Sequence, residues 1–219
     1  MNRIQLLHQQ TELTLLTEKA LWISELNSLF ISDLHFGKAA HFRKSGIPIP
    51  EPIHHRDLQK LAYLIQTYNP SDFYFLGDLF HSDWNDQWVL LTEFLQQFSS
   101  VRFHLIQGNH DILPKSVYAS SPIIFHKQPL HLKNFSLSHE PLESIPTHQL
   151  NICGHLHPGV GLKGLARQSL RIPCFYLDKN QLILPAFGNF TGLALMERTP
   201  TAQIFGITEK KVIPILSEF

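Results

Sequence analysis

The sequence predicts an α/β fold in which a mixed sheet from the first half of the chain packs against a mainly antiparallel sheet from the second half. Up to residue 111, apolar runs that end in polar residues alternate with two helical patterns of apolar residues. Beyond that point the chain contains short strand-like pieces joined by turns. The order strand, helix, strand needs a crossover connection, so the first half is expected to contain a crossover unit.

The first half is predicted to open with a pair of strands over residues 12–22, followed by a turn at residues 27 and 28. The apolar strand after this turn ends in an Asp-x-His pair, Asp33 and His35. A helix is predicted over residues 51–68 and a second over about residues 86–98, because apolar side chains recur there on one helical face. The segment between Asp33 and the first helix, residues 39–50, contains glycine and two prolines and is predicted to be a loop over the site.

The second half is predicted to form strands that are shorter and mostly antiparallel. These strands cover residues 123–125, 130–132, 135–138, 170–175, 176–177, 181–184 and 202–205. A glycine-rich loop at residues 185–192 interrupts them. We find no repeat and no linker, so residues 1–219 are predicted to form a single domain.

Composition favours a protein without a strong global charge. Lys and Arg number 18, equal to Asp and Glu, so any polyanionic substrate must be held by a local patch. The two cysteines, Cys153 and Cys174, fit a reducing compartment better than a disulfide framework. With no secretory signal and no apolar run of membrane-spanning length, we expect a soluble, cytoplasmic protein.

Metal-ligand residues follow five separate apolar runs, and this repetition is the strongest signal in the chain. The motifs are Asp-Leu-His at 33–35, Gly-Asp at 77–78, Gly-Asn-His-Asp at 108–111, a lone histidine at 139 and Gly-His-Leu-His at 154–157. Alternation along an extended strand would direct Asp33 and His35 to the same side. Carboxylate and imidazole ligands without thiolate suit first-row divalent ions better than calcium or a structural zinc.

This series of motifs, in this order, resembles the calcineurin-like metallophosphoesterase superfamily. The resemblance spans Asp33 to His157 and implies a four-layered α/β/β/α sandwich of two mixed sheets. It also implies a site for two divalent metal ions, with manganese favoured over iron or zinc. Carried over by position, the first metal would be bound by Asp33, His35 and His157.

The same resemblance assigns the second metal to Asn109, His139 and His155, with Asp78 as the bridge. Two cations about 3.5–4 Å apart need a shared anion, which a carboxylate such as Asp78 supplies. The ions also lower the pKa of a trapped water, which then attacks phosphorus as hydroxide.

His110 and Asp111 are the predicted catalytic residues. His110 would protonate the departing oxygen as general acid, and Asp111 would hold its imidazole and favour the cationic form. A histidine that only binds phosphate is the alternative for His110. His81, three positions after Asp78, is a further candidate for lining the site.

Basic side chains outside the metal-ligand motifs are the candidates for holding the substrate phosphate or a nucleic-acid backbone. They are His41, Arg43, Lys44, Lys163, Arg167 and Arg171. Each is equally well explained as a solvated surface charge.

A narrower resemblance, over about residues 20–192, is to PdeM-type phosphoesterases, which are named as ligase-associated DNA damage response endonucleases. It is carried by Ala20-Leu-Trp22, by the segments at residues 32–50 and 171–176, and by the glycine-rich loop at residues 184–192. The resemblance implies a manganese-dependent phosphodiesterase or nuclease acting on DNA beside DNA ligase and helicase repair proteins. The neutral charge balance adds no electrostatic support for tight DNA binding.

Three hypotheses for function follow. The first is a two-metal phosphodiesterase, with nucleic acid or a small nucleotide diester as substrate. The second is a phosphomonoesterase or nucleotide pyrophosphohydrolase with the same chemistry. The third is a non-catalytic adaptor on the same fold, which is disfavoured because every ligand position and the proposed acid are filled.

Overall fold

The structure is a computed structural model that describes residues 3–38, 52–81, 83–163, 169–189 and 191–216. These residues form two mixed sheets, as the sequence predicts, and three α-helices, of which the sequence predicts the first two. None of the helices in the described ranges is both long enough and apolar enough to cross a membrane.

The first sheet contains seven strands that lie side by side in chain order. They are β1 (Ile4–His8), β2 (Thr11–Leu15), β3 (Leu21–Ile23), β4 (Ser28–Ile31), β5 (Asp72–Leu76), β6 (Arg102–Ile106) and β7 (Ile123–His126). Strands β1 to β4 pair antiparallel, whereas β4 to β7 pair parallel. The parallel half therefore brings the carboxyl ends of β4, β5 and β6 to one edge of the sheet.

Three helices connect the parallel strands of this sheet. They are α1 (Pro52–Tyr68), α2 (Asp86–Gln96) and α3 (Lys115–Ala119). Helix α2 begins after Asn85, whose side chain accepts a hydrogen bond from the Gln87 backbone N–H at 2.9 Å. It ends two residues before the predicted boundary at residue 98.

The second sheet has nine strands and is also mixed. They are β8 (Leu130–Leu132), β9 (Phe135–Leu137), β10 (Leu150–Cys153), β11 (Pro158–Lys163), β12 (Ser169–Asp178), β13 (Gln181–Ile183), β14 (Ala194–Leu195), β15 (Gln203–Ile207) and β16 (Val212–Ile215). The order is β14-β11-β12-β13-β10-β9-β8, with β15 paired to β12 and β16 paired to β15. Most pairs are antiparallel, but β10 lies parallel to both β9 and β13, and β11 lies parallel to β14.

Four of the described strands, β1, β11, β14 and β16, are not predicted from the sequence, and two of them, β11 and β16, carry weak strand signals. Strand β11 begins at Pro158 and contains Gly159 and Gly161, residues that lower strand propensity. Strand β16 contains Pro214 and has only β15 as a neighbour, a position where proline is tolerated. Residues 170–177, predicted as two pieces, lie in the single strand β12, whose first half pairs with β11 and second half with β13.

The core is divided by the two sheets into layers. In β4, Leu29 and Ile31 face the helices, whereas Phe30 points between the sheets, as strand alternation requires. The cluster between the sheets also includes Phe135 and Phe175 from the second sheet. A third, smaller cluster covers the outer face of the second sheet, where the described residues contain no helix after residue 119.

Asp72, at the first position of β5, is held by three side chains at the end of the sheet opposite its polar strand ends. Arg102 donates two hydrogen bonds of 2.7 Å to the two carboxylate oxygens, and His104 Nε2 donates one of 2.8 Å. Burial alone would raise the pKa of Asp72, but the hydrogen bonds from Arg102, His104 and Ser71 outweigh it and hold the pKa at about 2.

We expect Asp72→Asn to lower the free energy of unfolding at pH 7 by about 1–2 kcal/mol, because the charge-assisted hydrogen bonds are lost. The folded pKa lies below that of the unfolded chain, so this contribution is present above about pH 4 and disappears as the pH falls towards 2. Urea unfolding of both proteins between pH 2 and pH 7 measures the difference. The exposed Glu143→Gln serves as control, and equal stability of Asp72→Asn and the unsubstituted protein at pH 7 would contradict this expectation.

Candidate metal centre

The polar strand ends of the two sheets meet at one place. From the first sheet, Asp33 and His35 follow β4, Asp78 follows β5, and Asn109 and His110 follow β6. From the second sheet, three histidines follow β9 and β10: His139, His155 and His157. The structure therefore brings together all seven side chains that the sequence predicts as metal ligands.

His139 joins the two sheets at this point. Its Nδ1 donates a hydrogen bond of 3.0 Å to the Leu76 carbonyl at the end of β5. The side chain is fully buried and lies against Gly77, where an added Cβ would collide with the imidazole ring. Gly77 also has a φ of 78°, so both its conformation and its lack of a side chain are needed here.

The first predicted group of ligands lies within a small space. Nε2 of His157 is 3.2 Å from Oδ1 of Asp33 and 3.4 Å from Nε2 of His35. Ligand atoms of these three residues lie within 4.8 Å of one another, a spacing that could hold one metal ion. The predicted first site is thus geometrically coherent.

The second group is arranged around His139. Its Nε2 lies 2.9 Å from Oδ1 of Asn109 and 3.1 Å from Nδ1 of His155, the two predicted partners. The same nitrogen is 3.4 Å from Oδ1 of Asp78. Among carboxylates and imidazoles, Asp33, Asp78 and His139 also lie within 4.8 Å of one another, so Asp33 lies near both groups.

Asp78 is positioned between the two groups. Its Oδ1 faces His139 at 3.4 Å, and its Oδ2 faces Nε2 of His35 at 3.7 Å. Oδ1 also accepts a hydrogen bond of 2.9 Å from the His110 backbone N–H. One carboxylate with an oxygen towards each group is the arrangement expected of a bridging ligand.

Atoms with lone pairs face one another across the site, and this arrangement is the one expected if they coordinate cations. In the neutral imidazole of His139, Nδ1 donates to Leu76 and Nε2 carries a lone pair, which faces the acceptor oxygens of Asn109 and Asp78. Oδ1 of Asp33 is buried and accepts no hydrogen bond from the described residues. Divalent cations satisfy such convergent lone pairs, so these residues fit two metal ions.

Protonation states in the site agree with metal binding. Burial lowers the pKa of His35 to about 3, so its imidazole is neutral at pH 7 and has a lone pair available. Burial would raise the pKa of Asp33, but the imidazoles of His157 and His139 outweigh it and hold the pKa below its usual value. Asp33 and His35 are therefore in the forms that bind a metal at pH 7.

Five of the seven candidate ligands have a left-handed backbone: Asp33, His35, Asp78, His155 and His157, with φ between 47° and 67°. The predicted alternation along an extended strand is therefore wrong for Asp33 and His35, since β4 ends at Ile31. Their backbones are instead fixed by the neighbouring loop: Asp33 N–H donates to Gly77 O at 3.2 Å, and His35 N–H donates to Asp78 O at 2.8 Å. Such conformations cost free energy for non-glycine residues and persist only where surrounding contacts enforce them.

His110 lies at the open side of the centre. Its side chain is 44% exposed, and its Nε2 is 4.0 Å from Oδ2 of Asp78. His81 packs against its ring at a centroid distance of 4.1 Å, and Nδ1 of His81 lies 3.1 Å from Nδ1 of His35. His81 is therefore part of the site, as its spacing from Asp78 suggested.

Asp111 does not hold the imidazole of His110, which corrects the predicted role. Its two carboxylate oxygens accept hydrogen bonds from four backbone N–H groups, those of residues 78, 79, 80 and 108, at 2.8–3.3 Å. Burial, followed by the charge of Asp78, raises the pKa of Asp111 to about 6. Asp111 thus fixes the loops that carry Asp78 and Asn109.

Most of the predicted substrate-binding residues lie outside the part of the chain that the structure describes. His41, Arg43, Lys44 and Arg167, together with the whole predicted loop at residues 39–50, lie outside the described residues. The side chain of Lys163 is also outside them, and Arg171 is exposed on β12. Their assignment stays a prediction.

Comparison with solved structures gives a strong likeness. The chain is similar to the nuclease MPE of Pseudomonas putida, with a TM-score of 0.82, 28% sequence identity and coverage of 98% of this chain and 100% of that one. This likeness agrees with the resemblance to PdeM-type phosphoesterases. Yfce, a phosphoesterase from E. coli, covers 85% of this chain and 96% of its own at 13% identity, with a TM-score of 0.47 that is too low to support an inference.

The comparison with curated proteins gave no match. Residues 26–178 match the family model of the calcineurin-like phosphoesterases, and this range covers more than half of the chain and includes all seven candidate ligands. The chain therefore belongs to the calcineurin-like phosphoesterase family, whose members are metal-dependent hydrolases.

Proposed function

We propose that this protein is a two-metal phosphodiesterase that uses His110 as general acid. The observation that supports this most is the convergence of possible ligand atoms from Asp33, Asp78, Asn109 and His139. The proposed first ion is held by Asp33, His35 and His157. The second is held by Asn109, His139 and His155, and Asp78 is shared between them.

When bound, the two ions supply positive charge for the developing phosphorane and lower the pKa of a water molecule. The protein's own contribution is orientation. Asp78 presents one oxygen to each group, and the hydrogen bond from the His110 backbone N–H keeps that carboxylate from rotating. Leu76 holds Nδ1 of His139, so the ring offers only Nε2 to the centre.

His110 is proposed to protonate the leaving oxygen. Its ring is partly exposed, so a substrate can reach it, and its Nε2 lies on the same side as Oδ2 of Asp78. The ring of His81, 4.1 Å away between centroids, limits its rotation. A proton donated at this position neutralises the alkoxide that leaves phosphorus.

We propose a phosphodiester rather than a monoester as substrate. The reason is that the Pseudomonas putida protein MPE, which this chain matches over its whole length, is named a nuclease. On the resemblance to PdeM-type phosphoesterases, we further propose that the substrate is DNA, that the metal is Mn²⁺ and that the protein acts as an endonuclease in DNA repair. Association with DNA ligase or helicase rests on that resemblance alone. Cys153 and Cys174 are buried free thiols, which is typical of a reducing compartment, and we propose a cytoplasmic location.

We expect Asp78→Asn to lose bound Mn²⁺, because an amide supplies one neutral oxygen where two cations need a shared anion. Metal content after dialysis, measured by atomic emission, should fall below one ion per chain. Asp72→Asn is the matched control, since Asp72 opens the same strand, β5, that Asp78 follows. A fully metallated and active Asp78→Asn protein would contradict the bridging role.

We expect His110→Ala to retain both metal ions and to lose about 10²–10⁴ in kcat on diesters with poor leaving groups. The loss should shrink as the leaving group becomes more acidic, because such a group departs without a proton. Rates on a series of aryl phosphodiesters with Mn²⁺ measure this dependence, with the exposed His131→Ala as control. Equal losses across the series would remove His110 from the acid role.

A further inference from the structure

A group of polar residues behind the metal centre is not used by the proposed mechanism. Asp57 and Lys60 lie one turn apart on α1, and Asp57 is only 3% exposed. Burial raises the pKa of Asp57 and lowers the pKa of Lys60, since each charge has lost much of its contact with water. Placing two ionisable groups here is costly unless they make specific contacts.

Both residues contact the glycine-rich loop, in its segment 185–189. Lys60 Nζ donates a hydrogen bond of 2.8 Å to the Phe187 carbonyl and lies 3.6 Å from the centroid of the Phe187 ring. Asp57 Oδ1 accepts a hydrogen bond of 2.7 Å from Nδ2 of Asn189. The helix therefore holds this loop from two sides, and we call Asp57, Lys60 and Asn189 the loop clamp.

The clamped loop lies directly against the backbone of the first metal-ligand motif. Phe187 N–H donates to Ser32 O at 2.9 Å, and Gly188 N–H donates to Asp33 O at 3.2 Å. An added Cβ at Gly188 would collide with the Leu34 carbonyl, so the two segments touch without space for a side chain. Movement of residues 187–189 therefore moves the peptide units on either side of Asp33.

Asp33 depends on such support. Its φ of 52° is unfavourable for a residue with a side chain, and its Oδ1 is buried without a hydrogen bond. On one side its backbone is held by Gly77, and on the other by Gly188 of the clamped loop. If the loop loosened, Asp33 could relax towards a right-handed or extended conformation, and its carboxylate would leave the metal position.

We propose that Asp57, Lys60 and Asn189 are positioning residues that set the affinity of the first metal site by holding the loop against Asp33. This inference rests on the proposed metal-dependent function. None of the three residues belongs to the candidate ligand set, so their effect passes through the backbone of residues 187–189. Outer contacts that orient metal ligands typically contribute 10–100-fold to metal affinity.

The test is calorimetric titration of the metal-free protein with Mn²⁺, which needs no substrate. Asn189→Ala removes the hydrogen bond to Asp57 from an exposed position, and Lys60→Met keeps the apolar stem while removing the charge and the donor. We expect each variant to bind one of the two Mn²⁺ ions, the one at the site of Asp33, about 10-fold less tightly than the unsubstituted protein. Gln66→Ala, at an exposed position on the same helix, should bind Mn²⁺ normally.

Thermal unfolding in EDTA separates positioning from a purely structural role. Asn189→Ala should unfold within a few degrees of the unsubstituted protein when no metal is present, yet bind Mn²⁺ more weakly. Lys60 and Asn189 act through one loop. The double variant, Lys60→Met with Asn189→Ala, should therefore lose less free energy of Mn²⁺ binding than the sum of the losses in the two single variants. Additive losses would show two independent effects and overturn the clamp.

Unchanged Mn²⁺ affinity in Asn189→Ala would also overturn the inference, as would a loss of affinity that only follows a loss of metal-free stability. The proposed function fails separately. A protein that binds two Mn²⁺ ions but hydrolyses no diester contradicts the phosphodiesterase and leaves the clamp intact, because the clamp is measured by binding.

Discussion

The structure depends on holding several carboxylate, amide and imidazole atoms close together although their negative partial charges repel one another. Carboxylate, amide and imidazole acceptors from two sheets lie about 3–4 Å apart at their carboxyl edges. Each sheet supplies only part of the set, so neither could form the centre without the other. The apolar cluster between the sheets, with Phe30, Tyr74 and Phe175, fixes their separation and supplies the free energy that opposes this repulsion.

The surrounding backbone is used as rigid support for those atoms. Asp111 gathers four backbone N–H groups, Leu76 fixes one nitrogen of His139, and Gly188 contacts the chain beside Asp33. None of these contacts belongs to a ligand atom. They define the positions from which the ligands project, and small displacements here would change coordination more than a surface substitution would.

Much of this arrangement could be predicted from the sequence, because the ligand types sit at the ends of recognisable apolar strands. The grouping of Asp33, Asp78 and His139 at one centre rests on the order of the motifs and on their resemblance to the calcineurin-like metallophosphoesterases. The loop clamp could not be predicted, since Lys60 and Phe187 are far apart in the chain and neither type of residue signals a contact. Nor could the role of Asp111, because hydrogen bonds to backbone groups leave no pattern in the side-chain sequence.

The left-handed backbone of five candidate ligands affects which substitutions at these positions the fold tolerates. Aspartate tolerates that region of backbone space better than histidine does, and asparagine or glycine tolerates it better still. Replacing His35, His155 or His157 by one of these would relieve local strain while discarding an imidazole. Loss of the metal centre could therefore raise the free energy of unfolding. Selection for activity, and not the requirement to fold, then keeps these histidines in the sequence.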